Sequence, residues 1–215
     1  MNIFPVITVR KGSSLKDKNL RLYKGKPLLQ NAIEKCLNIF GTITVLADDE
    51  EYCSLAKQWG ASVPYLDDTV DGNEDVTVRL KKWRDSCNIN GRIILIQCTS
   101  PNITPSTIHK ALSKSLTLNN NEILITCSEY DDLKYSALMF MDDEEKYVKQ
   151  AIPNIPQISK PRQMLKTLYH YNGAITSFWH EQLDNDSLFD NGNLVPLIID
   201  KNERLDIDKE DDFNK

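Results

Sequence analysis

Between Val6 and Cys127, short apolar and β-branched runs alternate with helix-patterned segments, and this alternation restricts the fold more than any other feature. Val6–Val9, Thr42–Ala47, Arg92–Gln97 and Glu122–Cys127 have the length and composition of buried strands. Between them, apolar residues recur at helical spacing. Pro27 opens a helix through Asn38 with Leu28, Leu29, Ala32, Ile33 and Cys36 on one face. Asp48-Asp49 caps a second helix that Gly60 ends, a third covers Val76–Cys87, and Thr104-Pro105 starts a fourth that runs to about Leu118. Val63-Pro64-Tyr65 reads as a further short strand, and Asp67–Glu74 as a polar loop. Strands separated by helices predict an α/β fold, a mostly parallel sheet covered on both faces. Arg92–Gln97, the most apolar run, is its central strand.

After Cys127 the pattern changes. Tyr135–Met141 and Tyr147–Gln150 fit a hairpin around the acidic turn Asp142–Glu145, and Pro153, Pro156 and Pro161 then exclude regular structure up to Arg162. This excursion reads equally as a reach toward a neighbouring subunit or as a surface loop. Asn172–Phe178 and Leu194–Ile199 return as strands before an acidic tail.

With 215 residues, 40% hydrophobic and 27% charged, the chain reads as one soluble domain, 1–215, with enough length to bury a core. A net charge of −5 argues against general nucleic-acid binding. No run approaches membrane-spanning length and no signal segment is recognisable, so the expectation is a cytoplasmic protein. The five cysteines (36, 53, 87, 98 and 127) show no CxxC pairing and read as buried thiols; His109, His170 and His180 lack metal-ligand spacing.

The first strand empties into RKGSSLKDKNL (10–20), where Arg10, Lys11, Lys16 and Lys18 crowd around a Gly12-Ser13-Ser14 turn. A cationic loop rich in backbone N–H groups at the carboxyl end of a strand suits an anion, although the same residues also fit a solvated basic loop. Neither GxxxxGK[ST] nor GxGxxG is present. Near the other end stands RLDIDKEDDF (204–213). In an extended segment Asp206 and Asp208 share one face and Leu205 and Ile207 the other, which gives a carboxylate pair suited to a hard cation such as Mg²⁺. Glu210, Asp211 and Asp212 read as solvated tail. Gln97, Thr99 and Ser100 follow the central strand in QCTSP. Arg162 offers a bidentate contact to a carboxylate or phosphate, and Asn172-Gly173 a close backbone approach.

Taken in order, RKGSSLKDKN, GKPLL, ADDEE, GASVPYL, QCTSP, LKY, PRQ, YNGAI and LDIDKEDDF resemble the acylneuraminate cytidylyltransferases (CMP-sialic acid synthetases) and the related CMP-Kdo synthetases over nearly the whole chain. The resemblance implies a three-layer αβα, Rossmann-like sheet of the nucleotide-sugar transferase type, with a small protruding segment around 134–163 that forms a homodimer. It implies transfer of CMP from CTP to the anomeric hydroxyl of a 2-keto sugar acid, with Mg²⁺ as cofactor and pyrophosphate as product. Arg10, Gly12, Ser13, Lys16, Lys18 and Asn19 would then wrap the nucleotide. Gln97, Thr99, Ser100, Lys134, Arg162, Gln163 and Asn172 would contact the sugar acid, and Asp206 and Asp208 would bind the metal. Arg10, Lys18, Asp206 and Asp208 would carry catalysis.

Several positions depart from the family pattern. Ser14-Leu15 stands where a cation usually follows the loop serine, in a loop one residue shorter, so that Lys16 must substitute. Leu66-Asp67-Asp68 and Asn102-Ile103-Thr104 lack the arginines expected there, and Thr8 replaces a proline. A same-fold enzyme with another acceptor, such as Kdo, and a non-catalytic nucleotide-binding subunit are the competing readings.

Overall fold

Alternation along the strands builds the protein outward in two directions from one sheet. The computed structural model describes residues 2–11, 15–67, 75–130, 139–141, 148–150, 167–185, 188–189 and 192–215, with backbone alone for 130, 139–141 and 148–150. In chain order the elements are β1 (Ile3–Val9), β2 (Leu22–Tyr23), β3 (Lys26–Pro27), α1 (Leu28–Phe40), β4 (Thr44–Ala47), α2 (Glu50–Gln58) and α3 (Val76–Cys87). There follow β5 (Arg92–Ile96), α4 (Pro105–Ser115), β6 (Glu122–Tyr130), β7 (Met139–Met141), β8 (Val148–Gln150), β9 (Leu168–Trp179) and β10 (Asn193–Ile198). The chain divides into two units, 1–127 with 171–215, and 128–170.

The first unit carries a six-stranded sheet in the order β10-β6-β9-β5-β1-β4. β1 pairs in parallel with both β4 and β5, β10 pairs in parallel with β6, and β9 runs antiparallel to β5. Side chains of successive strand residues face opposite ways. Ile7 and Val9 of β1, Val45 and Ala47 of β4, and Ile94 and Ile96 of β5 therefore pack with α1, α2 and α4. Val6, Leu46, Ile93 and Leu95 pack on the other face with Leu80 and Trp83 of α3 and with Leu183 and Leu188. Both faces of the central strands are dry, which is why they read as unbroken apolar runs. The expected mostly parallel, doubly covered sheet is present.

Local signals account for the element ends. Asp49 accepts from the backbone N–H groups of Glu51 and Tyr52, Asp75 from that of Thr77, and Thr104 from that of Thr107. Gly41 ends α1 in the left-handed region at φ 71°. Lys24 and Gly25, both at positive φ, turn β2 into β3. The strand expected at Val63–Tyr65 does not form. Only Ser62 and Leu66 bridge to β4, because Pro64 between them has no N–H to donate.

The second unit contains the short antiparallel β7–β8 pair, where the hairpin was expected. Most of the 134–163 excursion, including Lys134, Arg162 and Gln163, lies outside the described residues, as do Gly12, Ser13 and positions 68–74 of the polar loop. Four cysteines are buried and Cys87 is exposed, all as free thiols. No described helix is long and apolar enough to cross a membrane.

Arg92 is an unexpected core residue. It opens β5 fully buried, and its guanidinium donates to the carbonyls of Leu118 (3.2 Å), Asn119 (2.6 Å) and Glu122 (3.1 Å), joining the turn after α4 to β6. Arg92→Met removes those donors and leaves three carbonyls short of partners. Urea denaturation should show a loss of about 3 kcal/mol; an unchanged midpoint would contradict this role.

Candidate active site

The strand order reverses between β1 and β5: the chain leaves β1 toward β4 and leaves β5 toward β6. Ligands of open α/β sheets bind at the carboxyl edge beside such a reversal. The two loops that emerge there are 10–19 and 97–103.

Side chains tie these loops together. Asn19 donates from Nδ2 to the Arg10 carbonyl at 3.3 Å, and its Oδ1 accepts from Cys98 Sγ at 3.2 Å. Burial pushes the Cys98 thiol up to about 12, so it stays a protonated donor. The residues after Asp17, which sits in the left-handed region at φ 50°, form a short 3₁₀ turn that presents Lys18. Lys18 is only 8% exposed, yet its Nζ reaches Asp208 Oδ1 at 2.9 Å. Arg10 and Lys16 are exposed.

The carboxy-terminal segment is the third component. Ile207 is fully buried against Tyr23 and Leu28, and its N–H donates to the Thr99 carbonyl at 2.9 Å. Inserting Ile207 leaves its neighbours Asp206 and Asp208 solvent-accessible on either side, although protein packed around the Asp206 carboxyl, including Thr99, still desolvates it in part. Two other acids hold this segment in place. Glu203 accepts from the Thr104 N–H (2.8 Å) and the Thr107 hydroxyl (2.8 Å), the start of α4. Asp212 accepts from the N–H groups of Asp208 (3.0 Å) and Lys209 (2.9 Å) and meets Lys215 Nζ at 2.6 Å. Asp212 is thus a structural anchor rather than solvated tail.

The acids differ in electrostatic state. Desolvation pushes the Asp206 carboxyl above its ordinary value; a hydrogen bond from Thr99 opposes this, the charge of Asp208 adds to it and that of Lys18 lowers it. For Glu203, desolvation is outweighed by the bonds from Thr104, Thr107 and Asp200, which hold it below the usual carboxylate range. The Lys215 ammonium and the two backbone donors do the same for Asp212.

Asp206 and Asp208 are a hard-oxygen pair close enough to repel, a donor set that fits a divalent cation of the Mg²⁺ type. No group of three or more potential metal ligands occurs among the described residues, so such an ion would complete its shell with substrate oxygens and water.

The remaining predicted residues are placed as follows. Gln97 and Ser100 belong to the turn after β5, where Ser100 N–H donates to the Gln97 carbonyl at 3.3 Å; Ser100 is buried in the turn. Lys35 of α1 braces this turn by donating to the carbonyls of Pro101 (2.6 Å) and Ile103 (2.9 Å). Asn172 stands on β9 beyond the end of β5. Its Oδ1 accepts from Thr126 Oγ1 at 2.7 Å, while its Nδ2 is buried with no hydrogen-bond partner among the described residues. The structure therefore brings Arg10, Lys18, Asn19, Thr99, Asp206 and Asp208 to one place, with Gln97 and Asn172 at the same edge.

Sequence reasoning missed the fastening roles of Glu203 and Asp212, and it missed Arg79 of α3, which is buried with Nη1 on the Val9 carbonyl at 2.6 Å and faces Asp48. The available signal for Arg79 was a cation on the apolar stripe of α3, one residue before Leu80.

A strand-order reversal flanked by a cationic loop and an aspartate pair suits a phosphorylated ligand held with a hard cation. The cytidylyltransferase family model matches residues 6–186, and the chain belongs to that family. It is 29% identical to the CMP-N,N'-diacetyllegionaminic acid synthase of Legionella pneumophila, over 97% of this chain and 91% of that protein. It is 25% identical to a pseudaminic acid cytidylyltransferase of Campylobacter jejuni, over 97% and 91% of the two chains. An N-acylneuraminate cytidylyltransferase of Escherichia coli is 27% identical over 98% of this chain and 50% of its own length. Among solved structures, a CMP:2-keto-3-deoxy-manno-octonic acid synthetase complexed with CTP superposes with a TM-score of 0.65 at 18% identity, covering 93% of this chain and 91% of that one. At that identity the likeness speaks for the fold.

The pKa directions set opposite stability effects. A raised folded-state pKa means that ionised Asp206 costs stability above that pKa, a cost that disappears below the unfolded value of about 3.9. Without divalent cations, Asp206→Asn should melt above the wild type at pH 7, with the gap closing as pH falls to about 3. Glu203, with its lowered pKa, contributes stability above the unfolded value of about 4.3 that is lost as pH falls through the folded pKa. Glu203→Gln should therefore melt below the wild type at pH 7 and converge with it in acid. Thermal melts from pH 3 to 8 check both signs.

Proposed function

We propose that this cytidylyltransferase transfers CMP from CTP to the anomeric hydroxyl of a nonulosonic acid, a nine-carbon 2-keto sugar acid, with Mg²⁺ bound at Asp206 and Asp208. The observation that carries the reading is the Lys18–Asp208 ion pair beside Asp206, at the edge where loops 10–19 and 97–103 meet. A buried cation beside two hard-oxygen donors supports binding of a triphosphate at this edge. The choice of acceptor draws support from relatives matched over nearly the whole chain, named for legionaminic and pseudaminic acids.

In this reaction the anomeric oxygen forms a bond to the α-phosphorus and the bond to the β-phosphate oxygen breaks. Pyrophosphate leaves with the electron pair, and the hydroxyl proton is released. Charge accumulates on phosphate oxygens, so the protein contributes mainly position and positive charge. Arg10 and Lys18 neutralise the departing pyrophosphate. Asn19 fixes the loop through the Arg10 carbonyl, and its bond with Cys98 keeps that loop aligned with the turn after β5. Gln97, Thr99 and the unpaired Nδ2 of Asn172 supply neutral donors and acceptors for the sugar. When bound, Mg²⁺ would neutralise the triphosphate and acidify the attacking hydroxyl.

The test combines the protein with each of CTP, ATP, GTP and UTP, Mg²⁺ and a panel of N-acetylneuraminate, legionaminate, pseudaminate and Kdo, and follows pyrophosphate. Release is expected only with CTP and a nine-carbon acid, and should stop on chelation. Asp208→Asn should lose about a hundredfold in kcat, near 3 kcal/mol, as for a single transition-state contact. Turnover with Kdo alone, or full turnover by Asp208→Asn, would overturn the proposal.

A further inference from the structure

Arg79, like Lys18 and Arg92, is a buried cation, and it is separate from the residues assigned to substrate. It projects from α3 and is 2% exposed. A guanidinium is tolerated in such a place only when its donors are met. Nη1 donates to the Val9 carbonyl at 2.6 Å and lies 3.5 Å from that of Leu46. These carbonyls belong to the carboxyl ends of the parallel neighbours β1 and β4. Nε meets Asp67 Oδ2 at 3.0 Å, a fully buried carboxylate whose other oxygen is held by Lys82 at 2.6 Å. Nη2 makes no hydrogen bond among the described residues and faces Asp48 Oδ2 across 3.6 Å.

Asp48 carries the contact onward. Its Oδ1 accepts from the Lys11 N–H at 2.9 Å, while the Lys11 ammonium sits on Asp49 at 2.8 Å. Arg10 lies between these attachments. The peptide group before it is gripped at its carbonyl by Arg79. The peptide group after it is gripped at its N–H by Asp48 and at its carbonyl by Asn19. With both flanking peptide planes fixed, the direction in which Arg10 leaves the backbone is set. We infer that Arg79 is a positioning residue for the nucleotide: through the Val9 carbonyl and Asp48 it aims Arg10 at the phosphates of CTP. The inference rests on the assignment of Arg10 to the nucleotide. The Asp67–Lys82 arm, on the far side of the guanidinium, serves stability alone.

CTP binding in the presence of Mg²⁺, measured by calorimetry, separates aiming from mere stability. Arg79→Met and Asp48→Ala should each weaken CTP about ten- to a hundredfold, the range for hydrogen bonds to charged groups. The double variant should lose little more than either single one, because both act through one bracket. Lys82→Met should melt earlier but bind CTP like the wild type. KM for the sugar acid should not move in any of them. Should Arg79→Met fail to fold, Arg79→Lys replaces it; lysine reaches the Val9 carbonyl without spanning both carboxylates, and an intermediate loss is expected. Wild-type CTP affinity in folded Arg79 and Asp48 variants, while Arg10→Ala binds poorly, would overturn the inference alone. Full affinity in Arg10→Ala would overturn the nucleotide assignment and the inference with it. Additive losses in the double variant, or an equal loss in Lys82→Met, would reduce Arg79 to a structural residue.

Discussion

The parallel pairing of β1 with a strand on each side is the constraint from which the site follows. Because β4 and β5 flank it, the chain must leave β1 one way and β5 the other, and the loops after them meet at the carboxyl edge. Backbone N–H groups and cations collect there as a consequence of topology. The loops are then fixed to each other by Asn19 and Cys98, and a segment more than a hundred residues away in sequence is added through Ile207. A buried isoleucine is a good device for this. One apolar side chain anchors the turn, and its two neighbours are obliged to face outward as a carboxylate pair.

Charge is distributed so that structural acids and functional acids differ in environment. Glu203 and Asp212 accept several hydrogen bonds and are stabilised as anions, so they can serve as fasteners at neutral pH. Asp206 is penalised by desolvation and by its neighbour Asp208, and only the Thr99 hydrogen bond and the Lys18 charge offset this. Such a pair holds an electrostatic cost that a divalent cation relieves. Lys18 pairs with Asp208 and, in the proposed reaction, adds its charge at the triphosphate. The same segregation recurs beneath the end of β1, where the buried Asp67 meets two cations while Asp48 is shared between Arg79 and the Lys11 N–H.

The core strands were legible because both faces of each are buried, so hydrophobicity alone marks them. Helix starts were legible where a side chain caps locally, as at Asp49, Asp75 and Thr104. Val63–Tyr65 misled because β-branched and aromatic residues flank a proline whose missing N–H decides the outcome. In the site, the Leu205–Asp208 alternation was readable from side-chain parity. The roles of Glu203, Asp212 and Arg79 were not. Their partners, Thr104, the backbone of Asp208 and the carbonyl of Val9, are met through folding and leave no trace in local pattern. A lone arginine within a helix and an aspartate in an acidic tail look alike on any surface; burial distinguishes them, and burial is a tertiary fact.

In the proposed reaction Asp206 and Asp208 share a metal with the nucleotide opposite Lys18. Electron paramagnetic resonance of Mn²⁺ titrated into the protein, with and without CTP, tests this directly. Weak Mn²⁺ binding alone, tight binding with CTP, and loss of the tight site in the Asp206→Asn/Asp208→Asn variant while free Mn²⁺–CTP remains are expected. A tight CTP-dependent site that survives in the folded double variant would place the metal elsewhere and contradict it.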